Sequence, residues 1–256
     1  MSLARPEGVV PDRDPRELDP VRVIIAEVLE AHPDGTWLGV DAVSMLLDSC
    51  GLSLMPYRLV GSADEAVAAA TAFGDPVVVK ATGLDRLSKS EAGGVALDVH
   101  GPDEVRAAYE RMLAQLGEAM SPAMVQAMAP AGVDVRVAAH QEPSYGAVIS
   151  LGLGGSVAQA NPQRSVRVLP LTDVDARWMV DASPLGPLLL DHAPTAVRHL
   201  EALLLDLAWI VEHVPELADV ELVPVVVAGG AASITAARVR VAPAKIASAP
   251  DVRRLR

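Results

Sequence analysis

The chain has 256 residues, 51% of them apolar but only 3% aromatic, so a sizeable core must be built from Ala, Val and Leu. A formal net charge of −12 argues against a nucleic-acid surface, which relies on lysine and arginine at phosphates. The single cysteine, Cys50, excludes an internal disulfide or a multi-cysteine metal site and suits a reducing compartment. No stretch approaches the ~20 apolar residues of a membrane span and no basic–apolar–small leader opens the chain, so the expected compartment is cytoplasmic, with no membrane partner. The six histidines show no metal-ligand spacing.

Residues 1–20 are rich in proline and charge and read as a linker or disordered arm. A helix is expected from about Pro20 to Ala31, with Val21, Ile24, Ile25 and Leu29 on one face, and a second from about Val40 to Cys50. Leu54 to Val60 reads as a short strand. Residues 62–74 form a helix in this reading: Ser62 is its N-cap, Glu65 follows three residues later, and Gly74 marks the stop. The β-branched run Val77 to Val79 ends in Lys80, a polar stretch closes on Gly93-Gly94, and the apolar pattern resumes at Val95. That is strand, loop, strand. Residues 102–116 are an amphipathic helix that completes a β-α-β-β-α lobe.

Strands at about 123–128, 133–140, 146–151 and 165–169 begin a second lobe, followed by helices over 172–183 and 194–214. Two last strands, about 219–228 and 232–240, flank the turn Gly229-Gly230. The class expected is α+β, with two α/β lobes and a cleft between them. The boundaries expected are a helical lead-in over 21–51, lobe 1 over about 52–122, lobe 2 over about 123–243, and a basic tail over 244–256. Trp37, Trp178 and Trp209 are most simply core residues.

Lys80 carries the first chemical signal. It puts one ammonium at the end of a buried strand, and the glycine pair allows backbone N–H groups to line up on an anion. A lysine plus donor backbone suits a nucleotide phosphate. A plain hairpin whose lysine snorkels to water is the competing reading of this segment alone.

The order of residues from Lys80 through Lys89, Ser90, Gly93, Gly94 and Val95 resembles the ATP-grasp domain of the NDP-forming (ADP-forming) acyl-CoA synthetases. Ser88 stands where that family has histidine, and Glu91 where it has aspartate. Residues 124–135, 142–155, 167–173, 219–227, 236–239 and 252–256 follow in the family's order, covering roughly residues 38–256. The resemblance is to the actinobacterial type, found fused to acetyltransferase or CoA-ligase domains.

The resemblance implies an ATP-grasp fold and an ATP site. Lys80 and Lys89 would meet phosphate, with Gly93 and Gly94 closing the loop. Gln126 and Met128 would lie at a hinge that offers backbone hydrogen bonds to adenine, and Asp134 stands where the family has a glutamate near the ribose. Of the carboxylates the resemblance implies for a metal site, only Glu221 remains, with Asp134 or Glu142 at a distance. Gln159 and Gln163 replace expected acids, Val223 replaces an asparagine, and Ala236 replaces an aspartate. Magnesium relies on one or two hard carboxylate oxygens, so Mg2+ is doubtful here and catalysis with it; no catalytic residue is assigned.

The expected partners are nucleotide and a CoA-binding, ligase or acetyltransferase domain, in the same or another chain. The function implied is the nucleotide-binding module of an acid–thiol ligase. The alternative is a catalytically inactive structural or nucleotide-sensing module that docks such a partner.

Overall fold

A computed structural model describes residues 8–83, 93–155 and 163–244. After a 3-10 turn at Pro15–Leu18, the chain forms α1 (Asp19–Ala31), β1 (Thr36–Trp37), α2 (Val40–Ser49), β2 (Tyr57–Val60) and α3 (Ala63–Phe73). Next come β3 (Val77–Ala81), β4 (Val95–Val99), α4 (Gly101–Leu116) and β5 (Ala123–Ala127). Strands β6 (Val133–Glu142), β7 (Gly146–Leu153) and β8 (Arg164–Val168) lead into helices α5 (Asp173–Asp181), α6 (Leu185–His192) and α7 (Val197–His213). The last elements are β9 (Leu217–Ala228), β10 (Ala231–Ile234) and β11 (Ala237–Val241). Two units result: Met55–Ala129, and the described parts of Met1–Leu54 with Pro130–Arg256.

The smaller unit is an antiparallel sheet in the order β2-β5-β3-β4 with α3 and α4 on one face. Its core follows from strand alternation. Val77, Val79, Ala81, Ala123 and Val125 turn toward Ala66, Ala69, Val105, Ala108 and Met112 of the helices, which leaves Val78, Lys80, Met124 and Gln126 to the other face. Helix α3 starts where Ser62 Oγ accepts the Glu65 N–H at 3.2 Å, while the Glu65 carboxylate accepts the Gly61 N–H at 2.7 Å. It stops at Gly74, whose φ of +91° suits only glycine.

The larger unit carries a seven-stranded sheet, β1-β11-β9-β6-β7-β8, with β10 paired to β9. Val135, Val137, Ile149, Leu151, Leu222 and Val225 of the sheet share one core with Leu200, Leu204 and Leu207 of α7. Val21, Ile25, Val43, Leu46 and Leu47 of α1 and α2 join it, so the helical lead-in is part of this unit's core. Among the described residues no helix is long and apolar enough to cross a membrane.

Several expectations need correction. The strand expected to open the second lobe is β5, which lies inside the small sheet between β2 and β3. An apolar run announces a strand but not the sheet it joins. The arm expected over 1–20 is built into the larger unit from residue 8 onward. Val9 and Asp173 exchange hydrogen bonds of 2.7 and 3.1 Å, Arg13 pairs with Asp206, and Leu18 is fully buried. Helix α6 was not expected. The expected strand over 232–240 is interrupted into β10 and β11 opposite Val223-Pro224, where proline offers no ladder N–H. Trp209 is buried, but Trp37 and Trp178 are 42% and 46% exposed, each with a guanidinium over its ring. Arginine covers these indoles in place of core packing.

Candidate functional site

In the smaller unit the chemistry centres on Lys80. Strand alternation turns it away from the α3–α4 core, beside Val78 and across from Met124 on β5. Its Nζ donates to Gln126 Oε1 at 2.6 Å, and Gln126 Nε2 donates to the Met55 carbonyl at 3.1 Å. Gln126 is buried, so both ends of its amide are satisfied, and the ammonium is held at a fixed point on the sheet face.

Sequence reasoning placed Gln126 here for its backbone, but the side chain is what engages Lys80. The backbone of β5 is committed to the ladders with β2 and β3 through Ala127, whose N–H donates to the Pro56 carbonyl at 2.9 Å. Met128, just past the strand, is therefore the first residue of this segment whose backbone lies outside the sheet. Gly93 has φ of +72°, a conformation for glycine, and a Cβ there would stand 3.0 Å from the Gln115 side-chain amide. The Gly94 carbonyl accepts the Ala81 N–H at 2.9 Å and so extends the β3–β4 ladder. Lys89, with Ser88, Ser90 and Glu91, lies outside the described residues, as does Gln159.

In the larger unit the polar side chains collect on the sheet face opposite the α7 core. Asp134 and Arg136 of β6, Glu221 of β9 and Arg238 of β11 share it. Burial pushes the Asp134 carboxyl above its usual value, the charged form being poorly hydrated there. Gly154 and Gly155 close over it: the Gly154 N–H donates to the Asp134 carbonyl at 2.8 Å, and a Cβ on Gly155 would fall 2.7 Å from Asp134 Oδ2. The glycine pair is thus needed for close approach to β6.

Glu221 has a different environment from the one expected of a metal ligand. Arg136 Nη2 donates to its Oε1 at 2.6 Å, with both side chains about a fifth to a quarter exposed at 21% and 24%. Arg238 stands directly across from Glu221 in the β9–β11 register. Among the described residues no three His, Cys, Asp or Glu side chains come together as a metal set. Around Glu221 a guanidinium holds the carboxylate, and Val223 and Ala236 bring no side-chain oxygen. Arg136 was missed at the sequence level; its only signal there is an alternate, outward position within an apolar strand.

A model of the ATP-grasp domain matches residues 29–241. The chain belongs to the ATP-grasp family. It is homologous to the ADP-forming acetyl-CoA synthetases, and its α+β architecture agrees with theirs. Acetate–CoA ligase (ADP-forming) I of Archaeoglobus fulgidus is 29% identical over 217 residues, 82% of this chain and 31% of that protein. The β subunit of acetate–CoA ligase (ADP-forming) I of Pyrococcus furiosus is 25% identical over 189 residues, 70% of this chain and 81% of the subunit.

The ATP-grasp chain therefore spans about a third of the Archaeoglobus relative's length and most of the Pyrococcus subunit's. Among solved structures, the dinucleotide-forming acetyl-coenzyme A synthetase 1 of Candidatus Korarchaeum cryptofilum, in complex with coenzyme A and Ca-AMPCP, aligns with a TM-score of 0.76 at 25% identity. That alignment covers 86% of this chain and 99% of the other. A second structure of that enzyme holds coenzyme A and Mg-AMPPCP and aligns with a TM-score of 0.69 at 26% identity, with the same coverage.

Proposed function

We propose that this ATP-grasp chain binds ATP as the nucleotide module of an acyl-CoA-synthetase-type assembly. It acts beside a CoA-binding, ligase or acetyltransferase domain in the same or another chain. The observation that carries this reading is Lys80, an ammonium pinned by the buried Gln126 amide on the face of the small sheet turned away from its helices. A pre-positioned cation loses little entropy on meeting phosphate and gains a charge-assisted hydrogen bond. Gly93 and Gly94 immediately precede the strand paired with the lysine's, where backbone can approach an anion. Met128 offers its backbone to adenine, and Asp134 accepts hydrogen bonds from the ribose hydroxyls. The Archaeoglobus and Pyrococcus relatives bear the names of ADP-forming acetate–CoA ligases, which supports this substrate class.

A second reading, a nucleotide-sensing or structural module without turnover, is favoured by the Arg136–Glu221 ion pair. Phosphoryl transfer depends on neutralising the phosphates around the reacting atoms, commonly with magnesium held by carboxylates. Calorimetric titration with ATP, with and without magnesium, tests binding. Supplying the chain with a cognate ligase partner, ATP, coenzyme A and magnesium tests turnover. Heat of ATP binding without ADP release supports the second reading, and robust magnesium-dependent ADP release sinks it.

A further inference from the structure

We infer that Arg136 supplies to a bound nucleotide the positive charge that a divalent metal supplies elsewhere, so that this chain binds nucleoside triphosphate without magnesium. The inference rests on the nucleotide reading above and concerns the larger unit alone.

Arg136 sits where the β6–β9 register shifts, between Val135 and Val137, and such irregularities re-aim a side chain. Its Nη2 meets Glu221 Oε1 at 2.6 Å. A guanidinium stays protonated at any physiological pH, so no ordinary change of conditions frees the carboxylate for a cation. A magnesium ion at Glu221 would have to displace Arg136 or sit within a few ångströms of its charge.

The remaining charges on this face repeat the pattern. Arg238 lies across from Glu221 with its Cζ 4.3 Å from the Trp37 ring centroid, and Arg240 stands 3.6 Å from Asp219. Glu221 and Asp219 thus each have a guanidinium neighbour, whereas a divalent site needs an excess of negative charge. The fork of a guanidinium has five N–H donors and matches phosphate oxygens well, so Arg136 can hold Glu221 and still donate to a triphosphate.

The test is calorimetric titration of ATP into the full chain, in EDTA and in excess magnesium, for wild type, Arg136→Leu and Glu221→Gln. Wild type is expected to bind with little difference between the two buffers. Arg136→Leu should lose about tenfold or more in EDTA and recover part of that with magnesium, because the metal no longer competes with that guanidinium. Glu221→Gln keeps the arginine and removes its competitor, so it should bind ATP more tightly in EDTA, an outcome that misfolding cannot imitate. Manganese alone, followed by electron paramagnetic resonance, should remain free with wild type.

A magnesium-dependent gain of more than about tenfold in wild type overturns the inference and leaves the nucleotide reading standing. So does wild-type affinity in EDTA for a folded Arg136→Leu. A chain folded by circular dichroism that binds ATP in neither buffer overturns both.

Discussion

The Nζ of Lys80 and the Oε1 of Gln126 lie 2.6 Å apart on neighbouring strands, and the other end of the same amide is tied to the Met55 carbonyl at 3.1 Å. One buried glutamine thereby sets where the ammonium stands. Lys80→Met is expected to weaken ATP binding by more than about tenfold, since a charge-assisted phosphate contact contributes about 1.5–3 kcal/mol. Gln126→Leu should act twice. It strands the Met55 carbonyl, at a cost of about 1–3 kcal/mol in urea unfolding, and it weakens ATP less than loss of the lysine does. Equal ATP affinity in wild type and the Lys80 variant would move the phosphates elsewhere.

Gly155→Ala should destabilise the larger unit by about 1–2 kcal/mol from its φ of +60° alone, with a further cost from the 2.7 Å approach of Asp134 Oδ2. Combining it with Asp134→Ala separates the two effects. The backbone cost persists in the double variant and the steric cost disappears, so unfolding free energies should be coupled rather than additive. Additive values would mean that Asp134 gives way easily.

Asp134 also predicts a pH dependence. Burial raises its folded-state value above the usual 3.8, so the folded chain holds this proton more tightly than the unfolded chain does. Stability from this group is then highest below 3.8 and is lost as pH rises through the raised value. Asp134→Asn should therefore raise the urea midpoint at about pH 7 and change it little near about pH 3. A loss of stability at neutral pH would show that the charged carboxylate is instead favoured in the fold.

Leu18 tests the N-terminal arm. A linker residue tolerates truncation, but Leu18 is buried in the large core next to Val21. Leu18→Ala is expected to cost about 2–5 kcal/mol in unfolding free energy. Removing residues 1–18 should lower the thermal midpoint more than Leu18→Ala, because the Val9–Asp173 and Arg13–Asp206 contacts go as well.

Restoring acids tests the metal argument from the other side. Gln163→Asp, Val223→Asn and Ala236→Asp together are expected to increase the magnesium dependence of ATP affinity, most strongly in an Arg136→Leu background that lacks the competing guanidinium. Calorimetry in EDTA and in magnesium reads it directly. Identical affinities in the two buffers for the combined variant would place the metal away from these positions.

Much of the secondary structure is local chemistry and was legible in the sequence. Ser62 with Gly74 bounds α3, the run Val77 to Val79 forms β3, and Gly229-Gly230 makes the last hairpin turn, because caps, β-branched runs and positive-φ glycines act within a few residues. Family membership was legible for the same reason: ordered motifs from Lys80 to the last strands survive as local patterns. Only the tertiary structure placed β5 inside the small sheet, bound Gln126 to Lys80, put Arg136 on Glu221 and left two tryptophans under arginines. Strand pairing and register decide which distant side chains share a face, and a period-two pattern marks the face without naming the neighbour across it.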